Sequence, residues 1–388
     1  MYFLDSSIAR QIVQRTMKII GHNINVMNNH GVILGSGDPH RVGEIHEGAL
    51  LAISQKRTVE ISTKNTGTLQ GVKPGINLPL HYKGDIIGVI GITGEPEALK
   101  SYGELLKMTA ELIVEQANTL EQAQWHYRQK EELIIELIMS DGPFSSHQRN
   151  WASQLNIDLD IPRVVAVIKI QNDEEETAAN SMLKQVLHLL ENPSRGNLVA
   201  MTSMTELVIL KPAFLDGKSW DPDLESERID QLLARLPKVL VSRLKISLGH
   251  FFPAAEDLNR SYQTALETLA IGQQMQPQQS KYLYEDYSLS VLLSGLKDNW
   301  RGKELLSPYQ ALLCADKNGQ LAKTLRAYLQ HFGDLQQCAN SLFIHRNTLR
   351  YRLDKIQRMT GVNIDQLDGL LQLYIGQVVA NTHTSPKH

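Results

Sequence analysis

Cysteine is almost missing from this chain: Cys314 and Cys338 are the only two in 388 residues, with no CxxC pair. That excludes a disulfide framework and a cysteine-built zinc site. Long apolar runs are missing too. The longest, IIGVIGI at 86–92, falls far short of the roughly 20 residues a helix needs to cross a bilayer. Charge of one sign is also lacking, since 39 Lys and Arg against 42 Asp and Glu leave a formal −3. Such a chain cannot coat nucleic acid by bulk charge, so any nucleic-acid role has to come from a local patch. GxSxG, HExxH and Walker A sequences are absent, and no catalytic constellation or cofactor motif takes their place. His22, His30, His40 and His46 are close in sequence without metal-ligand spacing. The opening MYFLDSSIARQIVQRTMKII carries charges inside its apolar period, which predicts an amphipathic helix and not a signal peptide. A cytoplasmic protein with no membrane partner is the expectation.

What is present divides into four parts, and the fold class they predict is α+β multidomain. Residues 1–97 read as an α+β ligand-sensing domain: a helix, a Gly-rich stretch, then two β-patterned runs joined by Lys83-Gly84-Asp85, the turn chemistry of a hairpin. Residues 98–140 read as one long linker helix. Its a/d positions run from Leu99 through Leu106, Ile113, Leu120 and Ile134 to Leu137, with polar interruptions. The pattern fits a dimerising, signal-transmitting helix or a helix packed on its own domain. Residues 141–284 read as a second α+β domain, with strands at RVVAVIKI, LVAMTSMTELVILK and LKISLGHF. The acidic run Asp173-Glu174-Glu175-Glu176 favours the start of the helix after it. Residues 285–388 read as helices only.

The sharpest signal is at 335–360. Leu335, Cys338, Ala339 and Leu342 fall on one face of a short helix; a turn at Phe343-Ile344 leads into a second helix with Leu349, Leu353 and Ile356 inward. Ala339 suits a steep helix crossing, where a large side chain would push the partner away. This is a helix-turn-helix. Its outward face offers Arg346, Asn347, Arg350 and Tyr351 to base edges in a major groove. Thr348 suits a phosphate beside the free N–H groups, while Arg352, Lys355 and Arg358 add charge along the backbone of double-stranded DNA. Glycine is common in such turns because a left-handed backbone is needed there, and this chain has Phe343.

LFIHRNTLRYRLDKIQRMTG, with LAKTLRAYL upstream, resembles the C-terminal helix-turn-helix of PucR-type bacterial regulators, and RNTLRYRL is similar to the recognition helix of Fis-type DNA binders. GSGDPHRVGEIHEGA and GDIIGVIGITGEPEALKSYGELLKMTAEL resemble the sugar-diacid recognition domain of the carbohydrate diacid regulator family. The resemblance implies an activator of genes for galactarate, glucarate and glycerate use; one helix-turn-helix per chain adds the expectation of a homodimer on a two-fold or tandem site, with RNA polymerase as a further partner. It also implies that the middle segment is a degenerate GGDEF-like domain. An active cyclase needs glycines in a hairpin and paired carboxylates for Mg²⁺; MTSMTELVIL has no glycine and only Glu206. No enzyme is expected. A diacid effector needs cationic or N–H donors at both ends and hydrogen-bonding groups between. Arg41, a helix beginning near Gly43 and His46 in its first turn form one candidate end. Gly35 and Gly37 allow close backbone approach at that end; Lys73 and Asn77 form the other, and Gly91 and Gly94 leave room at the sheet. The same glycines also fit plain turns, and Arg41 a surface position. A PucR-like response to a purine breakdown product is the alternative reading, and a cyclic-dinucleotide enzyme a remoter one.

Overall fold

The computed structural model describes residues 4–62, 72–171, 176–190, 195–214, 220–296, 299–331 and 333–381. Two compact units divide between Tyr127 and Arg128.

The first unit contains α1 (Ser6–Ile20), β1 (Ile24–Asn28), β2 (Ile33–Ser36), α2 (Glu47–Gln55), β3 (Val59–Ile61), β4 (Gly75–Tyr82), β5 (Asp85–Thr93) and the start of α3 (Pro96–Met139). Asp5 caps α1 by accepting the N–H groups of Ser7 and Ile8, both at 2.7 Å. The sheet is antiparallel, in the order β2-β1-β5-β4-β3. The β4–β5 hairpin closes through Lys83 and Gly84 at φ 50° and 91°, the two left-handed residues of a type I′ turn. Strand alternation then sorts two faces. Ile24, Val26, Ile76, Leu78, Ile90 and Ile92 pack with Ile12 of α1 and with Leu99, Leu106 and Ile113 of α3. Met27, Ile33 and Val89 pack on the opposite face with Ala49 and Ala52 of α2.

The second unit continues with α4 (Ser146–Gln154), β6 (Arg163–Ile170), α5 (Glu176–Leu190), β7 (Leu198–Ser203), β8 (Glu206–Pro212), α6 (Pro222–Ala234), α7 (Lys238–Arg243), β9 (Leu244–Leu248), α8 (Leu258–Met275), β10 (Lys281–Leu283) and α9 (Tyr284–Ser294). Of the acidic run before α5, Asp173, Glu174 and Glu175 lie outside the described residues. The sheet order is β10-β9-β6-β8-β7, with β10 parallel to β9 and the other pairs antiparallel. The unbroken apolar run of β6 is explained by helices on both sides. Val165 and Val167 face α8, α9 and the last turns of α3; Val164, Ala166 and Ile168 face α5 and α7.

From Tyr284 onward the described residues form helices only, as expected from 285, but the first of these helices belongs to the middle core: Tyr284, Tyr287 and Val291 of α9 are buried with Val165 and Tyr262. The stretch expected as a linker is one 44-residue helix, but both ends are built into cores: Leu99, Leu106 and Ile113 in one, Ile134 and Leu137 in the other. Between them residues 119–126 are exposed on every face of the helix. The remainder comprises α10 (Trp300–Ala315), α11 (Gln320–Gln330), α12 (Leu335–Ser341), α13 (Arg346–Thr360) and α14 (Leu367–Asn381), gathered on Leu312, Leu325, Cys338, Leu349, Ile356 and Leu373. Among the described residues no helix is long and apolar enough to cross a membrane.

Candidate nucleic-acid interface and effector site

The helix-turn-helix is assembled from local signals. Asp334 opens α12 by accepting the N–H groups of Gln336 and Gln337 at 2.8 and 3.0 Å, bonds that hold its carboxyl below the usual range. The turn closes with Phe343 N–H donating to the Asn340 carbonyl and Ile344 N–H to the Ala339 carbonyl, both at 3.1 Å. Phe343 takes the left-handed backbone at φ 51°, so the position usually given to glycine keeps its conformation without one. His345 then caps α13, its Nδ1 accepting the Asn347 N–H at 3.2 Å. The sequence signal for this cap is a polar side chain directly ahead of an apolar period. Gly361, left-handed at φ 69°, ends the helix.

Leu349 and Ile356 are fully buried and Leu353 nearly so, with Cys338 and Ala339 against them. Removing Leu349 alone would cost about 2–5 kcal/mol. With that stripe inward, Arg346, Asn347, Thr348, Arg350, Tyr351 and Lys355 are all exposed, as a reading helix requires. Arg352 departs from the expectation. It is half-buried, and its guanidinium donates to Thr324 Oγ1 at 3.3 Å and to Gln320 Oε1 at 3.2 Å. About 200° of helical rotation from Arg350, it ties α13 to α11.

In the first unit three of the expected residues converge. Arg41 closes a 3₁₀ turn, Pro39–Arg41, and is 8% exposed, which removes the surface reading. Its Nε lies 3.6 Å from Glu44 Oε2. His46 is 4% exposed and is the N-cap of α2: its Nδ1 accepts the Ala49 N–H at 3.3 Å. Burial, and then the neighbouring Arg41 guanidinium, push its pKa from 6.5 down to about 4, so the imidazole is neutral at pH 7. Asn77 is 3% exposed, and its Oδ1 is buried with no hydrogen-bond partner among the described residues. A Cβ placed on Gly48 would stand 2.9 Å from Asn77 Nδ2 and 3.1 Å from His46 Cε1, so the two side chains meet over that glycine. Gly91 is paired in register with Asn77 on one side and Asn25 on the other. Register partners share a face, so two buried amides flank a position without a side chain. Asn25, whose Oδ1 accepts from Ser36 Oγ at 2.6 Å, was not anticipated; a lone amide in an apolar strand was its only mark.

The other expected contacts are elsewhere. Gly43 does not open a helix, because α2 begins at Glu47 and His46 is its cap, not a first-turn residue; Gly43 is an exposed loop residue at φ 95°. Gly35 and Gly37 make room for α1 and Met17, not for a ligand: a Cβ on Gly35 would stand 2.9 Å from the Ala9 backbone. Gly94 packs beside His22 and Leu99, on the α1–α3 side. Lys73 is exposed before β4, unlike the buried Arg41, His46 and Asn77. In the β7–β8 hairpin, Glu206 accepts from Thr202 Oγ1 at 2.7 Å. Among the described residues no three His, Cys, Asp or Glu side chains are grouped to hold a metal ion.

Residues 4–137 match the sugar diacid recognition family, residues 141–271 the GGDEF-like domain and residues 321–377 the PucR C-terminal helix-turn-helix domain. The carbohydrate diacid regulator of Escherichia coli is 43% identical over 375 residues, covering 96% of this chain and 97% of that protein. An uncharacterized protein of Haemophilus influenzae is 39% identical, covering 97% and 99%. The proline-responsive transcriptional activator PutR of Bacillus subtilis is 24% identical, covering 79% and 75%. The same three segments that carry the sensor, the middle sheet and the helix-turn-helix are thus aligned from end to end in one relative, and the chain belongs to the carbohydrate diacid regulator family of PucR-type helix-turn-helix transcriptional regulators.

Proposed function

We propose that this protein activates genes for uptake and breakdown of sugar diacids, switched by galactarate, glucarate or glycerate bound in its first unit, and that it is not an enzyme. The observation that carries the reading is α13: a helix with leucines and isoleucine sealed inward and Arg346, Asn347 and Arg350 free on the outer face. Paired donors on arginine suit guanine O6 and N7, and asparagine suits adenine N6 and N7. The effector would lie against Arg41, His46 and Asn77, where a cation and a neutral imidazole meet a carboxylate and the Asn77 Oδ1 accepts from a hydroxyl. The protein then acts as a homodimer. The exposed stripe Tyr102, Leu105, Met108 and Leu112 on α3 supports a second copy along that helix, and two reading helices suit a two-fold site. DNA-bound dimers would recruit RNA polymerase.

Calorimetric titration of the full chain with galactarate, glucarate, glycerate and allantoin tests the effector. Heat with a diacid or glycerate is expected; heat with allantoin alone would transfer the protein to a purine response. For DNA, Arg350→Ala should weaken promoter binding by about 1–3 kcal/mol with an unchanged melting temperature. Unaltered affinity and sequence preference would remove Arg350 from the interface.

A further inference from the structure

Phe343 is 96% exposed, more than any other large apolar side chain of the described residues, and it is held at φ 51°. Neither fact serves the fold. The left-handed backbone is costly for a residue with a Cβ and free for glycine. The turn itself is closed by backbone bonds from Phe343 and Ile344, whatever the side chain at 343. Leu342 and Ile344 on either side turn inward and pack on the core, leaving the ring to point out between them.

What lies beside it decides the partner. Phe343 stands two residues before the cap of α13, and His345, Arg346 and Arg350, which follow it in the chain, are exposed as it is. From Gln336 to Leu353 the chain has no acidic residue, so the surroundings suit a polyanion and not another protein's mixed surface. A phenyl ring cannot bond a phosphate. The apolar matter a duplex offers at a groove edge is the thymine 5-methyl group and the faces of deoxyribose.

We infer that Phe343 is a DNA-contact residue, its ring laid against an apolar edge of the duplex beside the groove entered by α13. This rests on the reading of α13 as the DNA-reading helix. The contact explains why the turn keeps a bulky residue where glycine would be easier: the ring is held out, already fixed by the strained backbone, for a partner absent from the free protein.

The test uses the full-length protein and a duplex that it selects from a random pool. Phe343→Gly and Phe343→Asn both suit the left-handed backbone and both lack the ring. Each should melt at or above the wild-type temperature yet bind the selected duplex on the order of ten-fold more weakly. Phe343→Tyr should bind within a factor of about three of wild type, since it restores the apolar face. Replacing operator thymines by uracil one at a time then separates the two edges. A loss at one position in the wild type that disappears in Phe343→Gly marks the methyl group, and no such position marks deoxyribose. Wild-type affinity in Phe343→Gly would overturn the inference. So would a lower melting temperature in both the Gly and Asn variants, because the fold itself would then be using the ring. If the wild type selects no duplex at all, the reading of α13 fails and this inference falls with it.

Discussion

His46 caps a helix from inside the protein, and that position sets a pH dependence. Its ring is buried and its Nδ1 must stay free of a proton to accept from Ala49. Folded, it titrates at about 4; unfolded, at about 6.5. Between those values the unfolded chain binds the extra proton, so stability rises with pH through the window and is lost as pH falls from 6.5 toward 4. At pH 5 the loss comes to about 2 kcal/mol relative to pH 7.5. Asparagine at 46 keeps a capping oxygen and cannot be protonated. His46→Asn should therefore flatten the acid loss, as read by hydrogen exchange of the β4 and β5 amides in the full chain at the two pH values. Arg350 and Arg352 make a second residue-scale point. Identical in type and two apart, they have opposite duties, because 100° of helical rotation per residue carries one outward and the other against Gln320 and Thr324.

At the scale of elements α3 is the decisive piece. Its inward positions are spent on cores at both ends, while Tyr102, Leu105, Met108 and Leu112 are each more than half exposed. Spacings of three and four place these four on one stripe, distinct from the buried Leu99-Leu106-Ile113 line. A stripe of that kind on a solvent-exposed helix suits pairing with a second helix. Leu105→Glu with Leu112→Glu should therefore convert dimers to monomers by light scattering, with the melting of the first unit unchanged. Monomers already in the wild type would end the proposal of pairing along α3. Much of this element could be read beforehand, including its length. What could not be read was which of two overlapping apolar stripes its own domain would take, since both have helical spacing and only the sheet's shape selects between them.

For the molecule as a whole, the segment matching sugar diacid recognition and the helix-turn-helix lie in different units, and α3 runs from the first unit into the second. An effector can shift the population only through a difference in its affinity for two conformations. In the proposed function Arg41, the buried cation beside His46 and Glu44, supplies that difference against an anion. Arg41→Ala should leave promoter affinity without effector within about two-fold of wild type, while reducing the shift produced by diacid on the order of ten-fold, as measured by footprinting with and without ligand. Loss of promoter binding in both conditions would instead make Arg41 a structural residue alone.

The amino-acid order alone determined the two α+β segments, the long helix and the helix-turn-helix, down to the inward leucines of α13. Those features are written in local periodicity, caps and turns, where each residue's neighbours in sequence are also its neighbours in space. Tertiary structure alone brought together the residues of the proposed effector site and assigned α9 to the middle core. Asn77, Asn25 and Gly91 come from three strands and share a row only through register; His46 becomes a cap only once α2 starts at Glu47. Gly94 was as plausible as Asn77 in the linear chain, yet it packs with His22 and Leu99 on the opposite side of the sheet, because strand direction and face are fixed by pairing and packing at a distance and not by any neighbouring residue.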